Sequence, residues 1–257
     1  KTEDYGQCCQ LALDALDIDQ NHPQANHVMA VGLERLGELH KAIQFYERAL
    51  KLDPGDLEIY FNLGLVAWRL KMYEAAERLF RIYIDRVPEK AEGFNNLGGV
   101  LRDQGKFESA IDVLRGAIYR LPEEPQLWNS LGTVLMETDA IGQARIFLEE
   151  AIRLKPRYAS AYCNLGIALN KNGQVDEAIR QFQEAIRLKP DQPGAHYGLG
   201  IVLSRKGQMD EAILHTVQFR YVTTHVNAVG VELGPLNHRV EDAKIRRSIG
   251  SGTGHPL

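Results

Sequence analysis

The sequence predicts an all-α protein built as an array of helix pairs, and three observations lead to that fold class. The step Leu-Gly returns every 34 residues, at positions 63–64, 97–98, 131–132, 165–166 and 199–200. Apolar residues inside each unit recur at helical spacing, which is typical of amphipathic helices. Glycine and proline stand at fixed places in the unit, where each residue type ends a helix.

The elements of one unit follow in order. Gly98 and Ala110 lack bulk, so we expect the first and second helices to approach closely there. Gly105 lies between the two helices, where a left-handed residue ends the first one at low cost. Pro122 then stops the second helix. The glycines at the place of Gly105 in other units are Gly37, Gly173 and Gly207.

This pattern resembles the tetratricopeptide repeat, whose signature places an aromatic residue before Leu-Gly and then Ala, an aromatic residue and Pro. The leading aromatic is Tyr60, Phe94, Trp128 and Tyr162, and the later position holds Tyr46, Phe80, Leu114, Leu148 and Phe182. The resemblance covers residues 23 to about 213. It implies a right-handed α-solenoid, a superhelix of helix pairs with a concave inner face.

The two ends of the chain depart from the repeat. Residues 1–22 contain only the second helix of a unit, so we expect a fragment or a processed chain. Residues 23–213 form the array, and residues 214–257 form a degenerate last repeat with an irregular tail. The stretch from Val217 to Leu233 is rich in Val, Thr and aromatic residues, which favours extended structure.

Composition restricts the function and the compartment. Thirty basic and 34 acidic side chains give a net charge of −4, which argues against a general nucleic-acid binder. No apolar run approaches membrane-spanning length. The three cysteines, Cys8, Cys9 and Cys163, suggest a reducing compartment, so a cytoplasmic location is expected.

Residues with recognisable chemistry are scarce, so no catalytic residue, metal ligand or cofactor is predicted. Cys163 has no evident His and Asp partners for nucleophilic catalysis. Four histidines lie near the C-terminus, but their spacing matches no standard zinc site. These are His215, His225, His238 and His255.

The resemblance also implies a binding surface, because the inner face of such arrays is lined by first-helix residues at five recurring offsets, zero, one, four, seven and eight. We expect this face to be exposed. Asn62, Asn96 and Asn164 share offset one, with Ser130 between them. Carboxamides both donate and accept hydrogen bonds, so such a row could hold the backbone of an extended peptide. The alternative is that Asn-Leu-Gly is simply a frequent choice in these repeats.

Further inner-face residues are candidates for partner selectivity. Phe61 and Trp68 could anchor a ligand, although packing between neighbouring first helices is the alternative. The other candidates are Arg69, Arg102, Asn129 and Lys171. Val31, Leu65 and Gly99 occupy the offset where relatives that clamp an acidic C-terminus carry asparagine, which argues against that class of partner.

The sequence therefore predicts a non-enzymatic scaffold that binds an extended peptide or a partner protein in its groove. The asparagine row resembles the repeat region of O-linked N-acetylglucosamine transferases. The alternative is therefore a substrate-selecting region of a larger glycosyltransferase whose catalytic domain lies outside this chain. Self-association through the ends of the array is a further hypothesis.

Overall fold

The computed structural model describes residues 2–228, and within them the chain forms thirteen α-helices and no β-strand. The predicted all-α class is confirmed. None of the described helices is both long and apolar enough to cross a membrane. The helices are α1 (Thr2–Ile18), α2 (Pro23–Arg35), α3 (Leu39–Leu52), α4 (Leu57–Arg69), α5 (Tyr73–Arg86), α6 (Ala91–Asp103), α7 (Phe107–Arg120), α8 (Pro125–Glu137), α9 (Ile141–Leu154), α10 (Ala159–Lys171), α11 (Val175–Leu188), α12 (Pro193–Arg205) and α13 (Met209–Ala228).

The helices form successive antiparallel pairs. From α2 onward a first helix of 13 residues alternates with a second helix of 14 residues, until the last pair ends in the 20-residue α13. Each second helix also packs on the first helix of the next unit, and α1 packs on α2 in the same manner. Burial therefore spreads along the array instead of converging on one centre.

Glycine of the Leu-Gly step lets the two helices of a unit touch. A Cβ atom at Gly98 would lie 2.9 Å from Cγ of Leu114, and one at Gly132 would lie 2.7 Å from Cγ of Leu148. Both leucines are fully buried. The predicted close approach at Gly98 is confirmed, since any side chain there would collide with the buried Leu114 of the second helix.

The turn between the paired helices has a left-handed residue, as predicted. Gly37, Gly105, Gly173 and Gly207 have φ between 76° and 82°. Two units use Lys71 and Asp139 there instead, each with φ of 59°.

The helix α13 corrects the prediction of extended structure after residue 216. Residues 217–228 are helical, while 229–233 lie outside the described residues. The Thr216 hydroxyl donates to the carbonyl of Ala212 at 2.8 Å, and that of Thr223 donates to Phe219 at 3.0 Å. Val222 is buried, so packing against α12 outweighs the β-propensity of these residues. The division of the chain at residues 22 and 213 stays a prediction.

Candidate protein-binding surface

The first helices form one continuous layer. Each contacts the first helix of the next unit, from α2 to α12, whereas the second helices pack mainly on first helices. Elements on the inside of a curved array lie closest together. The exposed face of this layer, called the inner surface below, is therefore the concave side.

Side chains of neighbouring first helices bond to one another at a spacing of 35 residues. In the first row, a residue at offset one donates to the residue at offset zero of the preceding unit. Ser130 donates to Asn95, and the amide nitrogen of Asn164 donates to Oδ1 of Asn129 at 2.9 Å. A one-residue step turns a side chain by about 100° around a helix, which lets successive offsets on neighbouring helices meet.

A second row of bonds joins the residue at offset seven of one unit to the residue at offset eight of the next unit. These bonds connect every pair of neighbouring first helices except α6 and α8, which the bond between Ser130 and Asn95 connects. They are Arg69 with Glu34 at 3.6 Å, Trp68 to Asp103 at 2.8 Å, Lys171 to the Met136 carbonyl at 3.0 Å and Arg205 to Asn170 at 3.3 Å.

Asn164 does not have the exposure expected of a groove residue. It is 8% exposed, and its amide nitrogen also lies 3.2 Å from the hydroxyl oxygen of Thr133. The expectation of an exposed Asn164 is wrong because a polar partner, Asn129, lies 35 residues earlier and binds it. The amide nitrogen of Asn164 thus connects α10 to α8.

Asn62 and Asn96 differ from Asn164 at the same offset. Both are half-buried, and neither carboxamide hydrogen-bonds to another described residue. The residue 35 positions before Asn96 is Phe61, which has no polar atom in its side chain. The residue 35 positions before Asn62 is His27, whose Nδ1 lies 3.2 Å from a carboxylate oxygen of Asp56. Both carboxamides therefore keep their hydrogen-bonding capacity.

Trp68 contributes to the junction between α4 and α6. Its indole N–H donates to Asp103, and its ring covers Gly99 so closely that a Cβ atom there would overlap it. Arg102 binds the other oxygen of the Asp103 carboxylate, with two nitrogens at 2.9 and 3.1 Å. Trp68 is thus packed between neighbouring first helices while remaining half-buried.

The expectation that all inner-face positions are exposed is also wrong elsewhere. His27, Thr133, Met136 and Cys163 are each less than 10% exposed. His27 lies against the ring of Tyr46 on α3, Thr133 beside the amide of Asn164 on α10, and Cys163 beside Gly194 on α12. Contacts with other helices therefore remove these side chains from solvent.

Cys163 and two histidines, His196 and His215, have structural surroundings. Burial raises the pKa of the Cys163 thiol to about 12, which keeps it protonated and unreactive near neutral pH. His196 is buried, with Nε2 at 2.8 Å from the Pro190 carbonyl and Nδ1 at 3.1 Å from Nδ1 of His215. His238, His255 and the side chain of His225 lie outside the described part of the chain, which contains no group of potential ligands able to hold a metal ion.

A cavity of about 370 Å³ at the edge of the inner surface was not predicted. Phe61 of α4, Glu92 of α6 and Glu124 at the start of α8 line it, so three consecutive units contribute. No local sequence motif marks it, because its residues come together only when the units stack.

Comparison with known proteins agrees with this architecture. Family models described as TPR repeat match residues 35–71 and 168–207, and models described as tetratricopeptide repeat match residues 62–125, 95–159 and 147–180. The matched segments run without a gap from residue 35 to residue 207.

One curated relative and two solved structures illustrate the similarity. Protein FlbA of Caulobacter vibrioides is 34% identical over 93 residues, which cover 36% of this chain and only 16% of that protein. The anaphase-promoting-complex hetero-tetramer Cut9–Hcn1 has a TM-score of 0.69 at 16% identity, over 90% of this chain and 45% of that one. YrrB, described as a TPR protein with an unusual peptide-binding site, has a TM-score of 0.52 at 23% identity, over 72% and 95% of the two chains. At these identities the two structures share the fold.

Proposed function

Because this chain belongs to the tetratricopeptide repeat family, we propose that it is a non-enzymatic scaffold that binds an extended polypeptide along its inner surface. The observation that carries this proposal is the pair of unbonded carboxamides of Asn62 and Asn96. They lie one repeat apart at the same offset, on neighbouring first helices. The similarity to a TPR protein described as having a peptide-binding site supports the same class of ligand.

The chemistry of the two asparagines suits a peptide backbone. A carboxamide donates and accepts at once, so each can pair with an N–H and a C=O group of an extended chain without reading its side chains. Asn164 is assigned a structural role instead. Trp68 and Arg69, which lie on the same face as Asn62, are proposed to contribute selectivity through the parts of their side chains that remain exposed.

A displayed library of random peptides tests this proposal, followed by affinity measurements on the selected peptides. The Asn62→Ala/Asn96→Ala variant should bind them roughly tenfold more weakly, since each lost hydrogen bond costs about 0.5–1.5 kcal/mol. The matched control is Gln143→Ala/Gln183→Ala, which removes two exposed carboxamides from the second helices α9 and α11. Equal affinities for the two variants, or a library that yields no peptide, would refute the proposal.

The alternative, a substrate-selecting region of a larger protein glycosyltransferase, makes the same use of this surface. It depends on the asparagine row, of which Asn62 and Asn96 have free carboxamides. Glycosyl transfer measured on the full reading frame, with and without these two side chains, distinguishes it from a scaffold without an attached enzyme.

A further inference from the structure

The cavity beside Phe61 has an aromatic floor and an acidic rim. Phe61 and Tyr83 form the floor, with ring centroids 5.0 Å apart and planes inclined by 49°. The rim carries three carboxylates and one ammonium group, from Glu89, Glu92, Glu124 and Lys90. The cavity lies where α6 and α8 begin, next to the inner surface.

Tyr83 is held rigidly but keeps an unused polar group. It is only 7% exposed, and its ring packs so closely on Gly93 of α6 that a Cβ atom there would lie 2.7 Å away. Its hydroxyl makes no hydrogen bond to any described residue, and it is not among the fully buried unpartnered atoms, so the oxygen is accessible although the residue is buried. Tyrosine in a largely apolar setting usually keeps such a polar end for a partner. Because Tyr83 lines the cavity, its hydroxyl is available to a polar group of a ligand there.

The charge of the rim identifies the ligand as a cation. Three carboxylates outweigh Lys90, which forms no ion pair with the described residues. The positive end of the α6 dipole opposes this preference, but Glu92 in the first turn of α6 and Glu124 before α8 offset it. Burial first, and then the charges of Glu92 and Glu89, raise the pKa of the Tyr83 phenol, so the hydroxyl remains a donor and acceptor near neutral pH.

The geometry excludes a bare metal ion and favours a long side chain. The carboxylates of the rim do not form a group that could hold a metal ion. An arginine side chain can instead lay its aliphatic stem and planar guanidinium on an aromatic floor while the rim carboxylates accept its N–H groups. Lysine offers the same charge without the planar surface.

The cavity adjoins the proposed backbone contacts. Phe61 and Asn96 are separated by 35 residues, the spacing at which side chains of neighbouring first helices meet. A peptide whose backbone binds Asn96 therefore passes over Phe61.

We propose that this cavity binds a basic side chain, preferably arginine, of the extended polypeptide held by the inner surface. The inference rests on the proposed function and adds a side-chain preference to it. Peptides selected from the displayed library should be enriched in arginine or lysine at one position.

The test is a double-mutant cycle on one selected peptide. Glu89→Gln/Glu92→Gln removes two rim charges, and the peptide is made with its basic residue as arginine and as glutamine. We expect the variant to weaken binding of the arginine peptide by about fivefold to tenfold and to leave the glutamine peptide unaffected. The control Glu47→Gln/Glu108→Gln removes two exposed carboxylates of α3 and α7 and alters the net charge equally.

The outcomes separate the two proposals. If the selected peptides depend on Asn62 and Asn96 but show no basic preference, or if the cycle gives no coupling, the cavity inference is wrong while the scaffold stands. An equal loss in the control variant would mean that only the overall charge matters, which also overturns the cavity. A library without binders overturns both. Circular dichroism and melting curves of both variants confirm that the exposed substitutions leave the fold intact.

Discussion

The indole N–H of Trp68 donates to the carboxylate of Asp103 across 2.8 Å, from one first helix to the next. The two residues are 35 positions apart, one more than the period of the repeat. Bonded pairs at the other junctions of neighbouring first helices have the same spacing of 35 residues. The side chains of these helices therefore meet in the same register at each junction.

Asp103→Ala should destabilise the array by about 1–3 kcal/mol, because it leaves the Trp68 indole and the Arg102 guanidinium without their acceptor. Chemical denaturation followed by tryptophan fluorescence measures the change. Asp112→Ala, at an exposed site on α7, is the control and should have an effect below about 0.5 kcal/mol. Similar losses in both variants would contradict a specific role for Asp103.

Gly132→Ala and Gly116→Ala should change stability in opposite directions. The new Cβ atom at Gly132 would lie 2.7 Å from Leu148 and 3.2 Å from the Ala144 carbonyl, so we expect a loss of about 1–3 kcal/mol, and more for Gly132→Leu. A Cβ atom at Gly116, inside α7, meets nothing within 4 Å. Alanine there should stabilise by up to about 1 kcal/mol through helix propensity. Melting temperatures that shift in the same direction would refute this account of the packing.

Asn164→Ala should cost about 1–3 kcal/mol of stability, whereas Asn96→Ala should cost less than about 0.5 kcal/mol. The first change leaves Asn129 and Thr133 without the amide donor, and the second removes a carboxamide that no described residue binds. Urea titrations of the two variants check this difference. A stable Asn164→Ala variant would return that residue to the list of peptide contacts.

Acid should weaken the packing of α13 on α12. Burial, followed by the charge of His196, lowers the pKa of His215, while Glu211 opposes the shift. The unfolded chain therefore binds more protons than the folded one, so this contribution to stability is present above the unfolded pKa of about 6.5 and is lost as the pH falls below it. The loss of stability between about pH 7.5 and about pH 5.5 should be smaller in His215→Gln. An unchanged pH profile would contradict the assignment.

The repeat, the helix pairs and the turns could be predicted because each is encoded within one unit. Gly98 and Leu114 meet through the local geometry of a helix pair, which the 34-residue pattern already displays. The bonds between the side chains of neighbouring first helices, the lateral bonds, could not be predicted from that pattern. They join different offsets of different units. Comparing residues 35 apart would have found the pair of Asn129 and Asn164 and shown that Asn96 lacks a polar partner.

The helix α13 shows the other limit of sequence-based prediction. Its valines and threonines have β-propensity, which is weak compared with the packing of α13 on α12 and the burial of Val222. Propensity was the only available guide there, because the repeat pattern no longer identified the buried positions.

The lateral bonds also give the solenoid an asymmetric elasticity. They tie all five junctions of the described first helices on the inner side. On the outer side, the polar ties between units in the described part of the chain are two ion pairs, the partly exposed pair of Glu77 with Lys106 and the exposed pair of Asp176 with Lys206. Ion pairs at the surface contribute little. Bending that spreads the inner surface must break the bonds at its junctions, while bending that closes it strains only these two outer ion pairs. The array therefore curls around a bound polypeptide more easily than it straightens.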